Sequence, residues 1–193
     1  MQRLCVFCGS SAGADPRFRE AAEQLGKLLA RRAVGLVYGG GRVGLMGILA
    51  DAVLSHGGEV IGVIPKALAG KEVAHLGLSE LRIVDSMHAR KALMADLADG
   101  FIALPGGLGT LDELCEILTW GQLGLHRKPT GILNPAGYFD LFLEFLDRAV
   151  SERLLRPEHR SRVLVESEPE ALLDRIGDWK PVAVEKWLLP EEG

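Results

Sequence analysis

Short apolar runs alternate with longer amphipathic stretches along the chain, and this alternation predicts β-strands separated by helices. The runs are rich in Val, Ile and Leu and lack polar alternation, which is typical of strands covered on both faces. We therefore predict a parallel sheet with helices on its two sides. The predicted strands are Leu4–Phe7, Gly35–Tyr38, Val60–Ile64, Leu81–Val84, Phe101–Leu104, Thr130–Leu133 and Val163–Val165.

The amphipathic stretches between these runs have the spacing of helices that bury one side. The predicted helices are Asp15–Arg32, Leu45–His56, Met87–Ala98, Leu111–Gly124, Tyr138–Glu152 and Pro169–Ile176. The fold class that follows is α/β, a single-domain Rossmann-like doubly wound parallel sheet of about seven strands flanked by helices. No repeat or composition break marks a second domain, so residues 1–180 are predicted to form one domain and 181–193 a C-terminal tail.

Charge and hydropathy exclude several classes of partner. The 193 residues include 22 Lys and Arg against 26 Asp and Glu, a formal net charge of −4, with no dense run of one sign. This pattern argues against nucleic acid or an anionic membrane as the partner. The first residues lack the apolar run of a signal peptide, and no stretch approaches the roughly 20 apolar residues of a membrane span. The expected location is the cytoplasm.

The cysteines and histidines give no sign of a metal or redox centre. Three cysteines are too few for a disulfide framework, which fits a reducing compartment. Cys5 and Cys8 form a C-x-x-C pair, but residues three apart on a strand point to opposite faces. The five histidines show no paired ligand spacing. We therefore expect no metal site.

Glycine-rich segments follow three of the predicted strands, at the sheet edge where ligands bind in open α/β folds. The second segment contains Gly39, Gly41 and Gly44, which fit the G-x-G-x-x-G spacing of a dinucleotide site. The next strand, however, ends in Ile64 and Pro65 and lacks the acidic residue that would hold a ribose. We interpret these glycines as tight turns and close contacts between helix and sheet.

The segment PGGLGTLDE after the fifth strand points to an anionic ligand. Gly106, Gly107 and Gly109 allow backbone N–H groups to face a ligand, and the helix predicted to start after Thr110 directs its positive end to the same place. The expected ligand is a phosphate monoester. Glu113 has two interpretations: it caps the helix in a capping box with Thr110, or it is a carboxylate buried beside the ligand.

The helix after this segment is predicted to be apolar on two sides, which indicates packing on the sheet and on a second subunit. One side carries Leu111, Leu114, Cys115 and Leu118, and the other carries Glu113, Glu116, Ile117 and Trp120.

Arg90, in the segment DSMHARKALMADLA, breaks two local rules. It falls on the core-facing stripe of the helix that Ser86 is predicted to cap, and it lies in the first turns, where the helix dipole disfavours a cation. A residue that breaks two rules is more often functional than an ordinary surface arginine, although a structural salt bridge is the alternative. Its natural partner is an anionic ligand or a carboxylate such as Glu113.

Six segments in order, FCGSS, VYGGGRVGLMG, GVIPKAL, SMHARK, FIALPGGLGTLDE and TWGQLGLHRKP, resemble the LONELY GUY family of cytokinin-activating phosphoribohydrolases, which are often labelled lysine decarboxylases. The resemblance covers about Cys5 to Tyr138. It implies hydrolysis of the N-glycosidic bond of N6-substituted adenosine 5′-monophosphates to free base and ribose 5-phosphate, without a cofactor or metal. It also implies a cytoplasmic homodimer with active sites near the subunit interface.

The resemblance also implies the site residues. Arg90 and Glu113 are carried over as the catalytic pair. The implied substrate contacts are Glu72, Arg90, Lys91, Gly106, Gly107, Leu108, Gly109, Thr110, Leu111, Asp112 and Thr119.

Three other functions compete with this one. A general AMP nucleosidase would cleave the same bond in plain AMP. A nucleotide or molybdenum-cofactor carrier would bind a phosphorylated ligand without turning it over. A pyridoxal phosphate decarboxylase would need a reactive amine, for which Lys66, Lys71 and Lys91 are the candidates.

Overall fold

The computed structural model describes residues 1–69 and 74–181 of the chain. Seven strands form one sheet, and every predicted strand is confirmed with ends that differ by at most one residue. The strands are β1 Arg3–Phe7, β2 Gly35–Tyr38, β3 Val60–Pro65, β4 Glu80–Val84, β5 Gly100–Ala103, β6 Thr130–Leu133 and β7 Val163–Glu166.

All six predicted helices are confirmed, and the described residues contain further short helical segments. The helices are α1 Pro16–Arg31, α2 Gly44–Ser55, α3 Lys66–Leu68, α4 Met87–Leu97, α5 Leu108–Gln122, α6 Asp140–Ser151, α7 Pro157–Arg160 and α8 Pro169–Asp178, with a 3-10 turn at Pro135–Gly137. The predicted start of α5 after Thr110 is wrong, because the helix begins at Leu108. The prediction took Thr110 as the N-cap of a capping box, but Gly107 occupies that position.

The sheet order is β4-β3-β2-β1-β5-β6-β7, and every neighbouring pair is parallel. The chain builds outward from β1 in one direction and then returns to place β5 on its other side. This is the order of a doubly wound sheet, and its topological switch point lies between β1 and β5. The expected position for a ligand is therefore the crevice beyond the carboxyl ends of these two strands.

Apolar side chains cover both faces of the central strands. Along β1, Leu4, Val6 and Cys8 pack with α1, α2 and α8, whereas Cys5 and Phe7 pack with α4 and α5. The two cysteines of the C-x-x-C pair therefore lie in different buried clusters, as the strand geometry predicts, and burial raises the pKa of both thiols. A shared redox or metal role is disfavoured by this separation.

The edge strand β4 departs from the expectation that all strands are covered on both faces. Its residues are half-buried or exposed, and more than half of the Ile83 side chain is accessible to solvent. An edge strand has a neighbour on one side only, so its faces are covered less completely. The prediction failed here because an apolar run alone does not distinguish an edge strand from a central one.

The described residues contain neither a membrane-spanning helix nor a metal-binding cluster. None of the helices in the described ranges is long and apolar enough to cross a membrane. Within those same ranges, no group of three or more His, Cys, Asp or Glu side chains is arranged to hold a metal ion. Residues 182–193, which make up most of the predicted C-terminal tail, lie outside the described residues.

Candidate functional site

A crevice opens at the switch point, between the loops that follow β1 and β5. The two loops are joined by a hydrogen bond in which the Gly9 N–H donates to the Pro105 carbonyl at 3.0 Å. The cavity between them has a volume of about 300 Å³. It is lined by the β1 loop Gly9, Ser10, Ser11, Ala12 and Gly13, by Pro105, Gly106 and Gly107, and by Phe18, Leu45 and Tyr138.

The first turn of α5 faces open space. Gly107 is the N-cap residue, and it provides no side-chain hydrogen bond to the helix. A Cβ placed at Gly107 or at Gly109 would meet no atom within 4 Å. Since the first N–H groups of a helix have no partner within it, this turn presents unpaired donors and the positive end of the dipole to an unobstructed space. The arrangement suits a phosphate group, as the sequence predicted.

Thr110 and Glu113 do not form a capping box. With Gly107 as the N-cap, Thr110 is the third helical residue and Glu113 lies a further turn into α5, beyond the reach of a capping side chain. Thr110 is buried, and its hydroxyl packs against Gly106. A Cβ at position 106 would overlap this hydroxyl. The capping interpretation of Glu113 is therefore wrong, and the carboxylate has no local structural role at the helix start.

Arg90 is directed into the molecule from α4. Ser86 caps this helix by accepting a hydrogen bond from the Ala89 N–H at 3.1 Å, as predicted. The Arg90 Nε donates to the Val63 carbonyl at the end of β3 (3.1 Å), and its Nη1 lies 3.5 Å from Oε1 of Glu113. Both side chains of this pair are only 12% exposed. The predicted convergence of the two residues is therefore present in the structure.

Gly39 provides the room for the Arg90 guanidinium. A Cβ at position 39 would overlap Nη2 of Arg90, so a larger residue would displace the guanidinium from its position beside Glu113. Gly44, at the start of α2, has φ +60°, and a Cβ there would overlap the backbone of Ser10 and Ser11. Gly39 and Gly44 of the G-x-G-x-x-G pattern are thus needed for contacts within the protein, in agreement with the structural interpretation.

The protonation of Glu113 reflects two opposing effects. Burial raises the pKa of its carboxyl above the ordinary value, while the nearby Arg90 cation lowers it, and burial dominates. The thiol of Cys8, at the carboxyl end of β1, also has a raised pKa through burial, and it is affected by the charges of both Glu113 and Arg90. A carboxyl with a raised pKa beside a fixed cation is suited to proton transfer and to stabilising positive charge.

Lys91 is held by two carboxylates of α5. Its Nζ lies 3.1 Å from Asp112 and 3.1 Å from Glu116, and its side chain is 12% exposed. Burial alone would lower the pKa of the ammonium, but the hydrogen bonds to Glu116 and Asp112 outweigh it and raise this pKa. Lys91 therefore ties α4 to α5 directly next to the pair of Arg90 and Glu113.

Two predicted contacts are not brought to this pair. Thr119 donates a hydrogen bond to the Cys115 carbonyl (2.7 Å) and lines a separate cavity at the C-terminal half of α5. Glu72 lies outside the described residues. The remaining predicted contacts, from Gly106 to Asp112, all lie on the loop before α5 and on its first turns.

Sequence reasoning did not identify Tyr138. Its hydroxyl donates to the Gly106 carbonyl at 2.6 Å, and its ring packs edge-on against Phe18. Tyr138 therefore holds the loop before α5, residues 105–107 (the glycine loop), from a position 32 residues away in the chain. No local signal marks such a contact. Ser10 and Ser11 were visible after the first strand, but only the structure places them beside the glycine loop.

Comparison with known proteins identifies relatives over nearly the whole chain. Residues 46–176 match a family model described as "Possible lysine decarboxylase". The chain is 49% identical to the cytokinin riboside 5′-monophosphate phosphoribohydrolase LOG7 of Arabidopsis thaliana, an alignment that covers 93% of this chain and 83% of LOG7. It is 48% identical to the phosphoribohydrolase LOG of Oryza sativa, covering 93% of this chain and 74% of the rice protein.

Solved structures with the same fold are more distant in sequence. The molybdenum cofactor binding protein of Rippkaea orientalis superposes with a TM-score of 0.69 at 23% identity, covering 92% of this chain and 96% of that one. The molybdenum cofactor carrier protein of Chlamydomonas reinhardtii gives a TM-score of 0.69 at 20% identity, covering 91% and 96%. At this level of identity the similarity concerns the fold alone.

Proposed function

We propose that this chain, which belongs to the family of cytokinin riboside 5′-monophosphate phosphoribohydrolases, hydrolyses the N-glycosidic bond of N6-substituted adenosine 5′-monophosphates. The products are the free base and ribose 5-phosphate. The observation that carries the proposal is the buried pair of Arg90 and Glu113 beside the open first turn of α5.

The phosphate is bound by the first turn of α5. Gly106, Gly107, Gly109 and Thr110 supply backbone N–H groups and the positive end of the helix dipole. Leu108 is 86% exposed at this turn and is free to contact the rest of the ligand, with Leu111 on the next turn. Binding the phosphate fixes the sugar, so that the bond to be cleaved is presented to the same side chains in each turnover.

Glu113 acts on the ribose. Cleavage of the bond between C1′ and the base nitrogen develops positive charge on the sugar ring, and a neighbouring carboxylate stabilises that charge. Glu113 lies three residues after Thr110, on the next turn of the same helix face, so the helix fixes its position relative to the phosphate-binding turn. The carboxylate also accepts a proton from the attacking water. The hydroxyl of that water bonds to C1′ as the bond to the base nitrogen breaks, and the electron pair of that bond leaves with the base. The base takes up a proton from solvent water, and Glu113 returns its proton to solvent, so the net reaction consumes one water molecule.

Arg90 favours the ionised form of Glu113 and holds its side chain in position. Its guanidinium is fixed by the Val63 carbonyl and by the space at Gly39, and it contributes remaining donors to phosphate or ribose oxygens. Lys91 and Asp112, which the resemblance implies as substrate contacts, bind each other next to the site. We infer that they support the pair by fixing α4 against α5.

A second subunit is proposed to complete the assembly. The two apolar sides of α5 pack largely within the chain, against the clusters that include Met94 and Phe139. Large apolar side chains are instead exposed at Leu108 on α5 and at Leu141 and Phe145, one turn apart on α6. Exposed apolar side chains favour association. Tyr138, two residues before α6, bonds to Gly106 just before α5, so these features together support a homodimer with sites near the interface. Three free cysteines support a cytoplasmic location.

The decarboxylase alternative has less support. Lys66 is paired with Asp85 at 2.7 Å, and this hydrogen bond raises the pKa of its ammonium. Lys91 is likewise held protonated by its two carboxylates. A Schiff-base lysine needs a lowered pKa, so neither described amine is prepared for that chemistry. Lys71 lies outside the described residues.

Product analysis tests the proposal. Purified protein is incubated with isopentenyladenosine monophosphate, with AMP and with the two unphosphorylated nucleosides, and free base and ribose 5-phosphate are quantified by chromatography. We expect equimolar products from the modified monophosphate and little reaction of the nucleosides. Faster cleavage of AMP would indicate a general AMP nucleosidase. Binding of the monophosphates without turnover would indicate a carrier, and equal reaction of the nucleosides would contradict the phosphate anchor.

A further inference from the structure

A second cavity lies at the opposite end of α5 from the glycine loop, next to the start of β6 and β7. Its volume is about 180 Å³. The C-terminal half of α5 forms one wall, Phe142 and Leu146 of α6 form another, and Thr130 and Val163 mark the beginnings of the two strands. Glu113 and Arg90 do not contribute to its lining. The cavity is therefore distinct from the proposed active site, although the same helix borders both.

Much of the wall is apolar. The apolar side chains that line the cavity are Ile117, Leu118, Phe142, Leu146, Leu155, Val163 and Trp179. A space of about 180 Å³ matches a compound with a single ring, since an engineered apolar cavity of about 150 Å³ binds benzene. The walls thus provide a site for a small apolar body.

The polar part of the lining has one sign of charge. The basic and imidazole side chains are His126, Arg127, Lys128, His159, Arg160 and Arg162, and no Asp or Glu is found among the described lining residues. Asp147, outside the lining, binds Arg160 at 2.7 Å. A cleft lined by cations on low-dielectric walls attracts anions more strongly than the same charges would on an open surface.

The two imidazoles are affected by this environment. Burial lowers the pKa of His126 and of His159. The Arg162 cation lowers both pKa values further, and the Lys128 cation lowers that of His126. His126 is also bonded to the Ile117 carbonyl at 2.9 Å. The buried Nδ1 of His159 has no hydrogen-bond partner. This nitrogen is enclosed by the protein, so His159 contributes to the lining through the accessible part of its ring.

We propose that this cavity binds a small organic carboxylate with an apolar, ring-sized body. The carboxylate lies among the basic side chains, while the ring occupies the space between α5 and α6. Because α5 borders both cavities, a ligand here also contacts the helix that carries Glu113. The proposal stands independently of the reaction assigned to the active site.

Benzoate is the probe and benzamide its neutral isostere. The ring protons of His126 and His159 are followed by NMR in the full-length protein, with assignments from His126→Gln and His159→Gln variants. We expect saturable shifts of both histidines with benzoate and upward movement of their titration midpoints, because an added anion favours the imidazolium. Benzamide is expected to bind at least about 10-fold more weakly, since it lacks the charge-assisted contacts.

Two Leu→Trp substitutions, one inside the cavity and one outside it, test whether benzoate binds in this cavity. Leu146→Trp fills the cavity and should abolish the shifts, whereas Leu154→Trp alters a residue that is 83% exposed and outside the lining, and should preserve them. AMP should not displace benzoate, because the two sites are separate.

Four results would overturn the proposal. These are unchanged histidine resonances, equal binding of benzamide, displacement by AMP, and binding that occurs only in a chain truncated after Pro181. The last result would mean that the chain's own residues 182–193 occupy the cavity.

Discussion

Nη1 of Arg90 lies 3.5 Å from Oε1 of Glu113, and the contact joins two helices that are separated along the chain by β5. Both side chains are almost enclosed, so the interaction is screened less by water than a surface ion pair would be. Burial favours the neutral carboxyl, and the guanidinium favours the carboxylate. The predictions below depend on this balance and on the open helix start one turn away.

Replacement of Glu113 by Gln should remove the reaction and preserve the fold. Gln keeps the shape of the side chain but cannot carry a negative charge or accept a proton. We expect kcat to fall by about 10²- to 10⁴-fold, the usual contribution of a positioned acid or base. Steady-state kinetics with a nucleoside monophosphate and circular dichroism of both proteins check this result.

Glu116→Gln is the matched control for that substitution. Glu116 lies one turn further along α5 and binds Lys91, so its replacement removes an acid of the same type outside the catalytic pair. We expect a loss of activity well below that of Glu113→Gln. Equal losses in the two variants would assign Glu113 a structural part in the helix contact.

The same Glu113→Gln variant should be more stable than the wild type at neutral pH. The pKa of Glu113 is raised in the folded state, so the protein binds this proton more tightly when folded, and the resulting stability is lost as pH rises through the raised value. Gln does not ionise and avoids this loss. Urea unfolding should give equal free energies of unfolding for the two proteins below about pH 4 and a higher value for the variant near pH 7, with Tm rising about 2–4 °C per kcal/mol gained.

The acid limb of the pH profile should report Glu113. The pKa of its carboxyl is raised above the ordinary value of 4.5, so kcat/KM should decrease as pH falls through a midpoint higher than that value. In Arg90→Gln the stabilising cation is lost, and the midpoint should move further up. Titration of ¹³C-labelled Glu side chains by NMR measures this shift even if the variant has little activity, and a downward shift would contradict the assigned balance.

Gly109→Ala should weaken phosphate binding without harming the fold. A Cβ at this position meets no atom of the protein, and Ala favours helix over Gly by about 1 kcal/mol, so stability should rise slightly. The added methyl group would, however, occupy the space assigned to the phosphate. We expect KM for the monophosphate to rise at least about 10-fold.

Gly177→Ala in α8 controls for helix propensity, because a Cβ there is also unobstructed and lies far along the chain from the site. This variant should gain stability and keep its KM. If Gly109→Ala also left KM unchanged, the phosphate would have to bind elsewhere.

Lys91→Met tests the inference that Lys91 supports the pair through α5. Loss of the contacts to Asp112 and Glu116 should lower kcat by up to about 10²-fold through misplacement of the pair, with KM changing little. The exposed pair of Lys66 and Asp85 supplies the control, since Lys66→Met makes the same substitution in a lysine–carboxylate contact to which Glu113 does not belong. A large increase in KM with kcat unchanged would instead make Lys91 a direct ligand of the substrate.

The strand pattern, the cap at Ser86 and the inward position of Arg90 could all be predicted from the sequence, because each depends on neighbouring residues or on a repeating period. The register of Arg90 against Leu93, Met94 and Leu97 was sufficient to place it on the buried side of α4. The order of the strands was not predicted, because the alternation of strands and helices restricts the connections but leaves several sheet orders open.

What the sequence could not predict depends on contacts between distant segments. A capping-box pattern placed the start of α5 after Thr110, whereas the helix begins at Leu108 and Thr110 packs against Gly106. Tyr138 follows β6 in the chain, and its hydroxyl bonds to the glycine loop, which precedes α5. Neither contact leaves a periodic trace in the chain, and so neither is visible before the segments are brought together.

Gly39 shows how one spacing of glycines can serve unrelated purposes. In a dinucleotide enzyme, the first glycine of this pattern permits a tight turn, and the second lets the cofactor's pyrophosphate approach the backbone. Here the space left by the missing side chain of the first glycine is filled by the end of the Arg90 side chain. A classifier that reads only the glycines would group this chain with hydride-transfer enzymes. Asking which atom fills the missing methyl's place separates the two classes, and the same question can be put to any α/β protein with this fingerprint.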